Sequence, residues 1–260
     1  MFQLTERLSG AAASPVVLVI MDGVGVGAGD AFDAVTLART PTLDSLRDQA
    51  LTRTLRAHGV AVGLPSDSDM GNSEVGHNIL GAGRIFDQGA KCVNRAITNG
   101  SIFGSTWSRM LEHVGQSDGR ALHLLGLLSD GNVHASIHHL EALIERAAHD
   151  GIRRVFLHVL LDGRDVPDRT ATEYLQHIEA TLARTSEANG GEFRVASGGG
   201  RMVTTMDRYE ADWRIVERGW RAHVLGDAAM YDSACAAVEA ARAAEPGISD
   251  QGLPPFVIGD

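Results

Sequence analysis

Apolar, strand-like runs that give way to a polar Gly/Asp/Arg/His cluster and then to a helical pattern recur along this chain, and no other feature restricts its fold as much. Residues 16–20 are a continuous Val/Leu/Ile run of the kind found in buried parallel strands, and they lead into Met21-Asp-Gly-Val-Gly25. Residues 121–128 end at Ser129-Asp-Gly-Asn-Val-His134, 154–161 end at Asp162-Gly-Arg-Asp165, and 193–196 end at Ser197-Gly-Gly-Gly-Arg201. Helical periodicity covers 42–51, with Leu43, Leu46 and Ala50 on one face, and 136–150, with Leu140, Leu143, Ile144 and Ala147 turned inward. It returns over 170–189, 209–219 and 231–244, and residues 255–258 read as one more short strand. The segment 85–119 is less regular, and a domain change is expected near its start. This alternation predicts an α/β fold with a mostly parallel sheet, whose ligands sit at the carboxyl ends of the strands.

Composition narrows the function. A chain of 260 residues with 44% hydrophobic residues can bury a sizeable core in one large domain or two smaller ones, so disorder is excluded as its main state. No run of about 18 uncharged apolar residues is present, which predicts no membrane span. The run 16–21, preceded only by Arg7, is too short and too poorly flanked for a secretory signal. With 23 basic and 33 acidic residues the net charge is −10, which excludes a nonspecific nucleic-acid binder. Lys91 is the single lysine, so the other 22 basic residues are arginines, whose guanidinium grips phosphate or carboxylate with two hydrogen bonds. Cys92 and Cys235 have no metal-type spacing and read as buried thiols of a cytosolic protein.

The clusters at the strand ends carry the candidate chemistry. Asp22 can hold a metal or orient a substrate, although a lone Asp-Gly is more often a turn. Gly23, Gly25, Gly27 and Gly29 do not spell the dinucleotide fingerprint and predict a loop. Met70-Gly-Asn-Ser-Glu-Val-Gly-His77 places Ser73 at the start of a helix, where unpaired amides favour a phosphoryl group on its oxygen. Local chemistry alone favours Ser73 as an N-cap instead. A nucleophilic Ser73 needs activation, either by His77 or by a metal held with Asp22. His134 and Asp165 can transfer protons and Arg164 can hold an anion, against a structural histidine and a surface ion pair. His138 and His139 read as solvated or structural. Arg201 and Arg208 add guanidiniums near the same edge, unless Glu210 and Asp212 neutralise them. Three converging arginines suit a small polyanion such as a phosphorylated acid.

Together these motifs resemble the cofactor-independent (2,3-bisphosphoglycerate-independent) phosphoglycerate mutases of the alkaline-phosphatase superfamily. The resemblance runs from residue 16 to the last residue through MDG, ARTPTLD, MGNSEVGH, GAGR, LLSDGNVH, LDGRDVP and SGGGRM/MDRYEADW. The last pair looks like the plant and trypanosomatid branch. The resemblance implies an α/β chain in which residues 1–85 are the N-terminal part of a discontinuous phosphatase, or metal-binding, domain. Residues 86–260 are then a mostly complete inserted phosphoglycerate-binding domain. Asp22 matches a metal ligand, and Ser73 matches the serine that binds the same metal and becomes phosphoserine. His134, Arg164, Asp165, Arg201 and Arg208 match residues that hold phosphoglycerate, with Asp165 handling the substrate hydroxyl proton. The implied reaction interconverts 3-phosphoglycerate and 2-phosphoglycerate in glycolysis, in a cytoplasmic monomer. It uses two divalent ions (Mn²⁺, or Mg²⁺ or Co²⁺) and no 2,3-bisphosphoglycerate. The family's second set of metal ligands and further anion-gripping residues have no match here, so the 260 residues alone are expected to be inactive. A non-catalytic anion-binding module is the alternative. Another phosphomutase or phosphatase of the superfamily is disfavoured by LSDGNVH and LDGRDVP.

Overall fold

The computed structural model describes residues 15 and 17–259, apart from 118, 208 and 209. Helices α1 (Ala34–Leu37), α2 (Pro41–Gln49), α3 (Ser73–Ala82), α4 (Gly89–Thr98) and α5 (Ser105–Gly115) come first. They are followed by β1 (Leu122–Leu128), α6 (Ile137–His149), β2 (Arg154–Leu161), α7 (Ala171–Asn189), β3 (Glu192–Gly200) and α8 (Trp213–Leu225). Strand β4 (Ala229–Tyr231), helix α9 (Ala234–Ala244) and strand β5 (Phe256–Ile258) complete the order. The strands form one sheet, β1-β2-β3-β5-β4, parallel at every pairing except β3 with β5. The mixed α/β architecture with a mainly parallel sheet is therefore present.

The core lies on one face of this sheet. Val155, Leu157 and Val159 of β2 and Phe193 and Val195 of β3 pack with Ile144 and Ala147 of α6, Leu175, Ile178 and Leu182 of α7, and Val238 of α9. Residues such as Leu175 and Ile178, with no exposed surface, each contribute about 2 kcal/mol of burial. Neighbouring strand residues point to opposite faces, so His158 looks away from this core. On that second face α8 covers β3. Between β2 and β3 the register slips, from Leu157 opposite Val195 to His158 opposite Ser197, and this bulge brings the Ser197 hydroxyl onto the His158 face.

Several sequence expectations need correction. Residues 17–20 make no strand, and Val17, Leu18 and Val19 are 70–81% exposed. A strand exists only through a ladder with a neighbour, and no described segment pairs with this run; Val16 lies outside the described residues. Helix α2 forms as expected, with Pro41 at its first turn, and Leu43, Leu46 and Ala50 are exposed. The segment 85–119, expected to be less regular, carries the two helices α4 and α5 joined by a short stretch. Trp107, Met110, Leu111 and Val114 follow a helical period, and Trp107 enters the core. Strand β3 runs on through Gly198, Gly199 and Gly200, which pair with Val159, Leu160 and Leu161 of β2, and a Cβ at Gly200 would lie 2.3 Å from the Gln251 carbonyl oxygen. Helix α8 starts at Trp213 because the Asp212 side chain caps it, and the stretch 231–244 divides into β4 and a helix capped by Ser233. Cys92 and Cys235 are only partly buried.

Asp150 ties α5 to α6. It accepts from Trp107 Nε1 at 2.8 Å and Arg146 Nε at 2.7 Å, while His149 Nδ1 lies 3.1 Å away. Burial pushes the carboxyl up, but these bonds outweigh it and bring its pKa down to about 2. A depressed carboxylate pKa stabilises the fold fully above the unfolded value of 3.8, and that stability is lost as pH falls toward 2. Trp107→Phe should cost about 1–2 kcal/mol in urea denaturation at pH 7. Its deficit relative to the wild type should shrink below pH 3.8. An equal deficit at pH 7 and pH 2.5 would show that packing alone is responsible.

Candidate functional site

Loops at the carboxyl ends of β1, β2 and β3 converge. A Cβ at Gly131 would lie 2.6 Å from the Asp165 carbonyl oxygen, so only glycine lets the loop after β1 lie on the loop after β2. Asn132 adopts φ 55°, a conformation asparagine tolerates, and its Nδ2 donates to Asp69 Oδ1 at 2.9 Å. The same loop is held from α7 by Tyr174, whose hydroxyl donates to Asp130 at 2.6 Å. Two of the sequence clusters are thus neighbours for a backbone reason.

His134 Nδ1 lies 2.7 Å from Asp165 Oδ2, and Arg201 donates through one nitrogen to Asp165 Oδ2 at 3.0 Å and to Asp162 Oδ1 at 2.6 Å. The side chains of Arg201, Asp162 and Asp165 are 6%, 0% and 8% exposed, while His134 is 51% exposed and forms the open side. Burial pushes the Asp165 carboxyl up, but the bonds from His134 and Arg201 outweigh it and hold it below the usual carboxylate range. Arg201 is held charged: burial pulls it down, and the two carboxylates more than compensate. The second oxygen of Asp162 is buried without a hydrogen-bond partner among the described residues. Asp162 had no role in the sequence reading, although it directly follows a buried strand as Asp22 was expected to.

The other expected residues are placed differently. Arg164 is exposed, and its guanidinium makes no hydrogen bond or ion pair among the described residues. Arg208 lies outside the described residues. Asp212 does not neutralise Arg201; it caps α8 and pairs with Arg214 at 2.7 Å. Asp22 is exposed, and no hydrogen bond links it to Ser73. Ser73 opens α3 but is not its cap, because Asn72 Oδ1 accepts from the Val75 amide at 2.9 Å. The Ser73 hydroxyl is exposed and 3.2 Å from His77 Nδ1. That nitrogen also sits 2.7 Å from the Ser73 carbonyl oxygen, which can only accept. Nδ1 must then carry a proton and has no lone pair for the hydroxyl, so His77 is not the base for Ser73 in this arrangement.

Two adjoining clefts share the Asn132–Val133 wall. One, of about 250 Å³, runs from His134 and Ser136 to Gly89 and Val93 of α4. The other, of about 120 Å³, includes Asn72, Glu74 and Val75 at the start of α3. The helix that begins at Ser73 and the loop that carries His134 therefore border the same space. Among the described residues no group of three or more His, Cys, Asp or Glu could hold a metal ion, and none of the helices is long and apolar enough to cross a membrane.

A family model described as the N-terminus of BPG-independent PGAM matches residues 93–260. A 2,3-bisphosphoglycerate-independent phosphoglycerate mutase of Trypanosoma brucei brucei is 52% identical over 244 residues, covering 94% of this chain and 44% of its own length. A mutase of the same description from Arabidopsis thaliana is 49% identical over 248 residues, with 94% and 44% coverage. The fold matches a crystal structure of Leishmania mexicana phosphoglycerate mutase at low cobalt concentration, with TM-score 0.86 and 51% identity over 93% of this chain and 44% of that one. The chain thus spans less than half the length of these relatives.

Proposed function

Because the chain belongs to the family of BPG-independent phosphoglycerate mutase N-termini, we propose that it provides the phosphoglycerate clamp and the phosphoryl-accepting serine of a mutase that interconverts 3-phosphoglycerate and 2-phosphoglycerate. The observation that carries this reading is the cluster of Asp165, His134 and Arg201 beside Arg164, whose guanidinium has no partner among the described residues. Asp165, held ionised, accepts a hydrogen bond from a glycerate hydroxyl and receives its proton as the phosphoryl group moves. His134 gives Nδ1–H to Asp165 and turns Nε2 to the ligand. Arg164, with Arg208 by resemblance, grips the carboxylate or phosphate. Ser73, free of the capping role, offers its oxygen to the phosphoryl group amid the first-turn amides of α3. In this reading residues 1–85 belong to a phosphatase-like domain and 86–260 to the substrate domain of a cytoplasmic, monomeric glycolytic enzyme. The divalent ions of the reading, Mn²⁺ or else Mg²⁺ or Co²⁺, find only two donors in Asp22 and Ser73, which do not by themselves make a metal site.

A second reading, an anion-binding module without catalysis, is favoured by the same free Arg164. Calorimetric titration of the 260-residue chain with 3-phosphoglycerate is expected to show binding, and Arg164→Ala to weaken it about tenfold, the loss of one charge-assisted contact. No heat at millimolar ligand counts against both readings. Robust turnover by the 260 residues alone, free of host mutase, would instead show that the donors present suffice.

A further inference from the structure

A second polar chain crosses the sheet away from the Arg201 cluster, and the proposed reaction does not use it. His123 Nδ1 lies 2.9 Å from His158 Nε2, and His158 Nδ1 lies 2.6 Å from Ser197 Oγ. Ser197 Oγ lies 2.7 Å from His223 Nδ1, and His223 Nε2 lies 3.0 Å from Thr205 Oγ1. The chain passes through β1, β2, β3 and α8 and ends in the turn that follows Arg201. The β2–β3 bulge makes it continuous, since an unbroken register would set Ala196 opposite His158. Each link needs one proton, and three neutral imidazoles with two hydroxyls supply them in either direction along the chain. Burial pushes His158 down to about 4, with His223 and His123 adding to the effect, and burial also lowers His223. Neither inner ring hydrogen-bonds a carboxylate among the described residues, so both are neutral at pH 7.

Thr205 is the strained member. It adopts φ 74°, a region that a β-branched residue enters only when its surroundings impose it. Three contacts with α8 do so. The Thr205 amide donates to the Ile215 carbonyl at 3.0 Å, Arg218 Nε donates to the Val203 carbonyl at 2.8 Å, and His223 meets the Thr205 hydroxyl. Gly219 lets the turn approach, since a Cβ there would lie 2.7 Å from the Thr205 Cα. The same turn begins at Arg201, whose amide donates to the Leu161 carbonyl at 3.0 Å.

We propose that His223, the link between Ser197 and Thr205 in the His123–His158–Ser197–His223–Thr205 chain, is a positioning residue that holds Thr205 and so fixes the Arg201 turn between Asp162 and Asp165. Its effect on ligand binding rests on the reading of the Arg201 cluster as the phosphoglycerate site. The hold on Thr205 does not.

Amide hydrogen exchange by NMR tests the hold directly in the 260-residue chain. His223→Ala and Thr205→Val should each speed exchange of the Thr205 and Thr204 amides about tenfold, the loss of one hydrogen bond. Leu157 and Val159 in the sheet should keep their protection. Thr205→Ser, which retains the hydroxyl, should stay near the wild type. Calorimetry on the same proteins should show the 3-phosphoglycerate Kd rising several-fold in the first two variants and recovering in Thr205→Ser. Unchanged Thr205 exchange overturns the proposal, and faster exchange with an unchanged Kd overturns its link to the site. If the wild type shows no phosphoglycerate heat, the site reading fails, while faster exchange in the two variants still supports the hold on Thr205.

Discussion

Arg201→Ala is expected to destabilise the fold by about 3–5 kcal/mol, the cost of removing one partner from a buried ion pair. The size follows from what the change leaves behind. Asp162 and Asp165 are 0% and 8% exposed at the side chain, and both lose their shared guanidinium. Without Arg201, Asp162 keeps only the long bonds to its Oδ1 from the Arg164 and Asp165 amides, each at 3.3 Å, and its other buried oxygen has no protein partner among the described residues. An exposed pair such as Arg214 with Asp212 lacks this leverage, because water screens it, and Arg214→Ala should leave the urea midpoint nearly unchanged. Arg201→Ala together with Asp162→Asn should recover part of the loss, because one of the two orphaned charges is gone. Urea denaturation at pH 7 reads all three variants. A loss below about 1 kcal/mol for Arg201→Ala would show that the carboxylates are hydrated rather than buried.

Ser73→Ala should abolish mutase turnover, by about ten-thousandfold or more, in a protein that also carries the downstream region of the relatives. It should do so without a stability penalty, which separates the chemical role from a structural one. The cap of α3 is Asn72, so Ser73→Ala leaves the helix start intact, whereas Asn72→Ala should cost about 1 kcal/mol. The helix reading of this segment was legible from its pattern, but the cap assignment was off by one residue. That single residue matters, because it frees the Ser73 hydroxyl. Residual turnover above about a hundredth of the wild type would sink the phosphoserine role.

The middle of the chain was legible because its patterns are strong. Apolar runs at 121–128 and 154–161 became β1 and β2, and the period over 136–150 and 170–189 became α6 and α7, with shifts of a residue at most. Ser129–His134 and Asp162–Asp165 follow these strands directly, so parallel pairing places them side by side, and the His134–Asp165 contact realises it. Residues 17–20 misled for the opposite reason. Their composition is that of a strand, but strand formation depends on a neighbour that composition cannot supply. Helix α5 was not legible in the same way, because its apolar residues Trp107, Met110, Leu111 and Val114 alternate with polar ones in a short helix that ends at Gly115. The role of Asp162 could have been read from its position alone. The histidine chain could not, since it depends on the register slip between β2 and β3 and on where α8 docks.

The position of β5 has a consequence for the order in which the sheet can assemble. Strands β1, β2 and β3 pair with their sequence neighbours, so each can be added as it leaves the ribosome. Strand β4 cannot, because its only partner among the described strands is β5, which separates it from β3. It must wait until residues 256–258 have emerged and paired with Ser197 and Gly198. The strand order therefore lets β4 join the sheet only together with β5. A nascent chain halted before Phe256 would lack both β4 and β5, and the Ser197–Gly198 edge of β3 would be left open for as long as the pause lasts.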